Sequence, residues 1–124
     1  KPREFRSSAG LPIFVGRSNR QNDRLTTRTA EKWDLWFHTQ KIHGSHVILS
    51  TSGEQPDAQS IAEAASLAAY FSQAQSSTKV PVDFTQVKFV KKPAAAKPGM
   101  VVYTNYQTVL ADPNEELVKH LLVK

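Results

Sequence analysis

The chain contains no cysteine, which excludes a disulfide framework and any thiolate metal site and fits a reducing cytoplasm. No apolar run approaches the length of a membrane span, and Lys1-Pro2-Arg3-Glu4-Phe5 does not lead into the apolar core of a signal peptide. These absences predict a soluble, cytoplasmic protein with no membrane partner. Internal repeats, heptads, Walker-type loops and dinucleotide fingerprints are also missing. Acidic residues are scarce, with 11 Asp and Glu against 16 Lys and Arg. A start at Lys1 rather than methionine predicts a piece of a longer protein, and 124 residues suffice for one domain with one core.

The basic charge is segregated. Residues 1 to 32 hold eight basic and three acidic side chains, and residues 86 to 100 hold four lysines and no acid. The intervening residues 33 to 85 carry two basic and five acidic side chains. All six arginines lie between Arg3 and Arg28, where planar guanidinium forks suit phosphate oxygens or guanine edges better than lysine does. Such clustering makes nucleic acid the leading partner class; mere solubility is the plainer explanation.

The densest chemistry lies in residues 33 to 49, which hold both tryptophans and three of the four histidines. A period of two puts Asp34, Trp36 and His38 on a polar-aromatic face and Trp33, Leu35 and Phe37 on a buried one. A second strand from His46 to Ser50 would complete a hairpin with His38 and His46 at its mouth. Residues 1 to 9 read as a polar lead-in, followed by a core over residues 10 to 111 that opens with a short strand at Leu11 to Val15. Arg17 to Arg24 reads as a surface loop, with Asn22 or Asp23 capping a weak helix toward Lys32. After Pro56 comes an alanine-rich helix from Asp57 to about Ser76. Lys79 to Val82 reads as a connector, Asp83 to Val90 as a strand, and Lys91 to Gly99 as an exposed basic loop with a Pro-Gly turn. Met100 to Tyr103 and Gln107 to Ala111 suggest a hairpin. Asp112 and Pro113 then open a C-terminal helix over residues 112 to 124. The sum is an α+β domain: a mainly antiparallel or mixed sheet with one long helix packed on it and a short closing helix.

Five ordered stretches resemble the NFACT-R domain, the C-terminal RNA-binding module of the NFACT proteins, which include RqcH-like and fibronectin-binding-protein-like members. They are Val15-Gly16-Arg17-Ser18-Asn19-Arg20-Gln21-Asn22-Asp23, Asp34-Leu35-Trp36-Phe37-His38, Gly44-Ser45-His46-Val47-Ile48, the helix with Glu63-Ala64-Ala65, and Val90-Lys91-Lys92-Pro93 with Lys97-Pro98-Gly99-Met100-Val101. Ser18 and His43 depart from the asparagine and proline usual there. The resemblance implies ribosome-associated quality control: binding of stalled large ribosomal subunits carrying peptidyl-tRNA, and support of C-terminal tailing. The implied partners are tRNA, the large ribosomal subunit and the other domains of the parent protein.

The site expected on these grounds joins two distant basic segments beside the aromatic-histidine ribbon. Arg17, Arg20, Lys91, Lys92 and Lys97 would hold phosphate. Asn19, Gln21 and Asn22 would read base or ribose edges, and Trp36 or His38 would be a platform for an unstacked base. Asp23, Ser45 and His46 complete the RNA-facing residues; the alternative for His46 or His38 is a structural role, hydrogen-bonded inside the hairpin. The plainer alternatives are a solvated turn for Arg17 to Arg24 and core positions for Trp33 and Phe37.

A rival reading is a metal-dependent hydrolase or nucleotide-modifying enzyme using Asp34, His38, His43 and His46. The spacing H-x4-H-x2-H matches no strong zinc pattern, so neither metal nor cofactor is expected. Ser45 and His46 point to opposite faces of a strand, which argues against a nucleophile pair and against catalysis. A protein-interaction module, fibronectin-binding by label, is the third reading.

Overall fold

The computed structural model describes residues 1–124. Its strands are Arg3–Arg6 (β1), Pro12–Val15 (β2), Leu35–Thr39 (β3), Val47–Leu49 (β4), Val80–Gln86 (β5), Val90–Lys91 (β6), Val102–Tyr103 (β7) and Gln107–Ala111 (β8). Six of them form one sheet in the order β1-β2-β4-β3-β5-β8, antiparallel throughout, while β6 and β7 pair as a separate ribbon.

The period of two in β3 sends Leu35 and Phe37 to one face and Trp36 to the other. On the first face lies α2 (Ala58–Tyr70), which buries Ala64, Ala65, Leu67, Ala68 and Ala69 against Phe37, Val47, Leu49 and Val82. Alanine has no side chain beyond Cβ, so the helix axis settles close to the sheet and Leu67 fills the remaining space. The second face is covered as well. Leu25 and Val87 pack on Trp36 and Ile48, and Val90, Val101 and Tyr103 close the edge of that smaller cluster. Leu25 comes from a π-helical turn, Leu25–Thr29, that continues helix α1 (Asn19–Arg24).

This α+β architecture matches the sequence reading, but several elements differ. Residues 1 to 9 contain edge strand β1, whose Phe5 is buried in the main core. Helix α1 begins at Asn19, capped by Ser18, so Arg17 to Arg24 is not a loop. Helix α2 stops at Tyr70, well short of Ser76. Phe71 turns onto Phe5, and its carbonyl accepts from Ser45 N–H at 2.9 Å, which pulls the chain out of the helix. Val80 to Val82 belongs to β5 rather than to a connector. Pro81 is tolerated there, and its carbonyl accepts from Gln40 just past the end of β3.

The expected strand to Val90 breaks at a 3-10 turn, Val87–Phe89. No hairpin joins β7 to β8, because Tyr103 is drawn across the sheet face, its ring 4.6 Å from Trp36 and its hydroxyl donating to Asp83 Oδ2 at 2.5 Å. Helix α3 (Glu115–Leu121) is capped by Asn114, whose Oδ1 accepts from Leu117 N–H, rather than by Asp112. The two tryptophans exchange their expected places: Trp36 is 1% exposed under the second layer, and Trp33, in the turn before β3, is 43% exposed. No helix is long and apolar enough to cross a membrane.

Candidate nucleic-acid interface

Helix α1 starts with a variant of the capping box, in which the Gln21 side chain reaches past the Ser18 cap to the residue before it. Ser18 Oγ accepts from Gln21 N–H at 3.1 Å while Gln21 Oε1 accepts from Arg17 N–H at 2.7 Å. Gln21 is therefore engaged with the backbone. One turn apart on the helix, exposed Arg20 and Arg24 flank a cavity of about 470 Å³ that Lys1 also lines. A second groove of about 450 Å³ lies beside the π-helical turn, lined by Thr27, Glu31, Lys32, Lys91 and Lys92.

The π-helical turn has a wide 2.9 Å bond from Ala30 N–H to Leu25 O. It brings Thr26 Oγ1 to 2.7 Å from His46 Nδ1. On the other side of the ring, His46 Nε2 lies 3.1 Å from Gly99 O. A carbonyl only accepts, so Nε2 carries the proton and Nδ1 accepts from the Thr26 hydroxyl. One neutral tautomer satisfies both neighbours. Burial is the main cause that pushes the His46 pKa down to about 4, and the nearby His38 adds to it; the Gly99 carbonyl and Asp23 oppose the shift without cancelling it. The His46 backbone N–H donates to Asn22 Oδ1 at 3.1 Å.

Asp23 ties in the second basic segment. Its Oδ1 accepts from Gly99 N–H at 3.2 Å and pairs with Lys92 Nζ at 3.0 Å. Burial raises the Asp23 carboxyl, but the bonds from Lys92 and Gly99 outweigh it and hold the group below the usual carboxylate range. Gly99 has φ +82, and a Cβ there would press on Asn19 O at 3.2 Å, so the turn needs glycine to lie this close to α1. Segments 17–24 and 91–99, separated by most of the chain, thus meet over His46.

The cations of these segments and of the π-helical turn are mostly unpaired. Lys92–Asp23 and Lys119–Glu115 are the salt bridges of the molecule, so Arg17, Arg20, Arg24, Arg28, Lys91 and Lys97 have no acidic partner. All six are exposed. Asn19 is exposed beside Gly99, whereas Asn22 is 5% exposed and occupied by His46, so it does not present its amide to solvent. Buried Trp36 and His46 do not form an open stacking platform either. His38 is half-buried, parallel to Trp36 at 5.8 Å, and its Nδ1 donates to Thr39 O at 2.7 Å. Burial lowers its pKa. Ser45 is half-buried, its N–H donating to Phe71 O.

The histidine cluster does not assemble a metal site. Asp34 sits at the far end of β3, its carboxylate accepting from Glu31 N–H at 2.9 Å and Thr51 N–H at 3.1 Å, and His43 is exposed. No three His, Asp or Glu side chains converge on one point. The two cavities also draw in Arg24, Lys1 and Lys32, which the sequence reading left out of the candidate site. The Ser18-x-x-Gln21 capping box was the available signal, since it starts the helix that puts Arg20 and Arg24 side by side.

Gly16 shows how tightly this face is joined. A Cβ there would overlap Asn22 Oδ1, and relief would break the bond to His46 N–H, leaving both groups buried. Gly16→Ala should lower stability by about 2–3 kcal/mol in chemical denaturation. An effect within ~0.5 kcal/mol would mean that Asn22 moves freely.

A family model described as the NFACT protein RNA-binding domain matches residues 1–105. The Rqc2 homolog RqcH of Bacillus subtilis is 51% identical over 114 residues, covering 92% of this chain and 20% of that protein. The Streptococcus suis protein of the same name is 40% identical over 124 residues, covering 99% of this chain and 22% of that one. This chain therefore spans about one-fifth of these relatives. A solved structure, the C-terminal part of the fibronectin/fibrinogen-binding protein from Streptococcus suis, superposes with TM-score 0.95 at 40% identity. It covers 99% of this chain and 49% of that one.

Proposed function

The chain belongs to the NFACT RNA-binding domain family, and from that premise we propose that its basic face grips tRNA or ribosomal RNA. It does so as one module of a longer cytoplasmic ribosome-associated quality control protein, one that binds stalled large subunits and supports C-terminal tailing. The observation that carries this reading is that two remote segments bearing exposed cations without acidic partners, Arg17, Arg20 and Arg24 on one and Lys91 and Lys97 on the other, are joined through Asp23, Gly99 and His46. A cation kept free of carboxylates is available to displace counterions from phosphate. The cavity at α1 adds Lys1, Arg20 and Arg24 and the groove beside the π-helical turn adds Lys32, Lys91 and Lys92; no catalysis is assigned to the module.

A titration of tRNA against salt tests it. If Arg17, Arg20, Arg24, Lys91 and Lys97 each neutralise one phosphate, log K should fall against log salt with a slope of about −4. Absence of binding at low salt, or binding insensitive to salt, would sink the reading. Salt-insensitive capture of fibronectin without RNA binding would favour a protein-interaction module instead.

A further inference from the structure

A cavity of about 440 Å³ opens where the turn before β3, the loop ahead of α2, the end of β5 and the start of β8 meet. Trp33, 43% exposed, and the half-buried Phe89 give it an accessible aromatic surface. Gln55, Gln86, Asn105 and Gln107 also line it. The side chains of Gln21, Gln40 and Gln75 are engaged within the protein, by Arg17 N–H, Asp83 and the Tyr70 carbonyl. The four carboxamides at the cavity have no such partner in the chain, and each offers a donor and an acceptor.

We propose that this cavity receives one unstacked nucleobase of a single-stranded RNA segment, its ring face on the Trp33 indole and its edge on the carboxamides.

The charge pattern selects that ligand. Glu54 is the one ionisable side chain lining the cavity, and its carboxylate repels phosphate and acidic ligands. A cationic side chain would be drawn to Glu54 but opposed by Lys32 and Lys88, which are exposed and without acidic partners; Lys88 Nζ stands 5.2 Å from the centre of the Phe89 ring. A neutral flat heterocycle meets neither conflict. Its face suits the aromatic wall, its mixed donors and acceptors suit the amides, and an exocyclic amino group can donate to Glu54. The volume falls within the ~300–1,000 Å³ typical of small-ligand pockets.

The position fits as well. Lys32 and Val87 line the groove beside the π-helical turn, whereas their neighbours Trp33 and Gln86, with Phe89, line this cavity. The two sites thus share a wall made of the Lys32-Trp33 segment and the 3-10 turn, held together by Lys88 N–H donating to Lys32 O at 3.0 Å. A base seated here leaves its flanking phosphates beside Lys32 and Lys88, and the strand continues over the wall to Lys91 and Lys92.

The inference rests on the RNA-binding reading, and the test separates the two. Three probes are titrated against the native chain: a short single-stranded oligoribonucleotide of mixed sequence, the same oligomer with abasic sites, and a capped arginine–serine hexapeptide. The chain has two tryptophans, so Trp33→Phe identifies the Trp33 indole N–H in a 1H–15N spectrum. The backbone amides of Lys91 and Lys92 should respond to both oligomers. The Trp33 indole N–H and the side-chain amides of Gln86 and Gln107 should respond to the base-bearing one alone. Trp33→Ala should weaken the base-bearing oligomer about tenfold and leave the abasic one unchanged, and Trp33→Phe, which keeps a ring, should lose less.

If the basic segments saturate while the indole and carboxamide signals stay fixed, the base site is wrong and the RNA-binding reading stands. If the peptide moves those signals and the oligomer does not, the cavity docks protein and the proposal falls. If neither oligomer binds, both readings fall. Should Trp33→Ala fail to fold, the signals of the native side chains decide alone.

Discussion

Replacing Arg17, Arg20 and Arg24 together by alanine should lower tRNA affinity by about 10- to 100-fold near 0.1 M salt and flatten the salt slope by about 2. All three side chains are exposed and without acidic partners, so their removal takes away phosphate contacts and little else. Stability should change by less than ~0.5 kcal/mol per site, as for surface positions without structural partners. The control is Lys119→Ala, which removes a cation on α3 that pairs with Glu115. Net charge falls there too, yet affinity should hold. An equal loss for the control would mean that diffuse charge alone binds RNA, and an unchanged triple variant would remove α1 from the interface.

His46→Ala should destabilise the domain by about 3 kcal/mol, through a cavity and the loss of partners for Thr26 and Gly99. The same imidazole joins the π-helical turn to the basic loop, so RNA affinity should fall as well. The pH dependence is a second readout. Burial depresses the folded-state pKa to about 4 from the usual 6.5, so as pH falls the unfolded chain takes up the proton first. Stability is therefore complete above pH 6.5 and is lost progressively toward about pH 4, below which this loss levels off. The window amounts to about 3 kcal/mol. Urea melts across that range should show a steep slope in the native protein and a shallower one in His46→Ala, where His38 still contributes. An identical slope in both would place the acid sensitivity on other groups.

Much of this was legible in the residues. The alternation in β3 correctly put Leu35 and Phe37 on one face and Trp36 on the other, and the alanine pattern with Pro56 and Asp57 correctly announced α2. Both signals are local, since a period of two or of 3.6 is a property of neighbouring residues. The exchange of the tryptophans was not legible. Whether the second face of a sheet meets water or protein depends on segments far along the chain, here Leu25, Val87 and Tyr103. The end of α2 was hidden for the same reason, because a hydrogen bond from Ser45 terminates it rather than any helix-stop residue.

By itself, the sequence determined the α+β class and the segregation of basic charge, which follow from local pattern and residue type, and the family, which follows from the resemblance of five ordered stretches. Only the tertiary structure decided that Asp23, Asn22 and His46 join two remote basic segments into one surface, and that Trp33 forms the wall of a cavity. Bonds of that kind are set by three-dimensional approach between groups tens of residues apart, and no spacing along the chain encodes them.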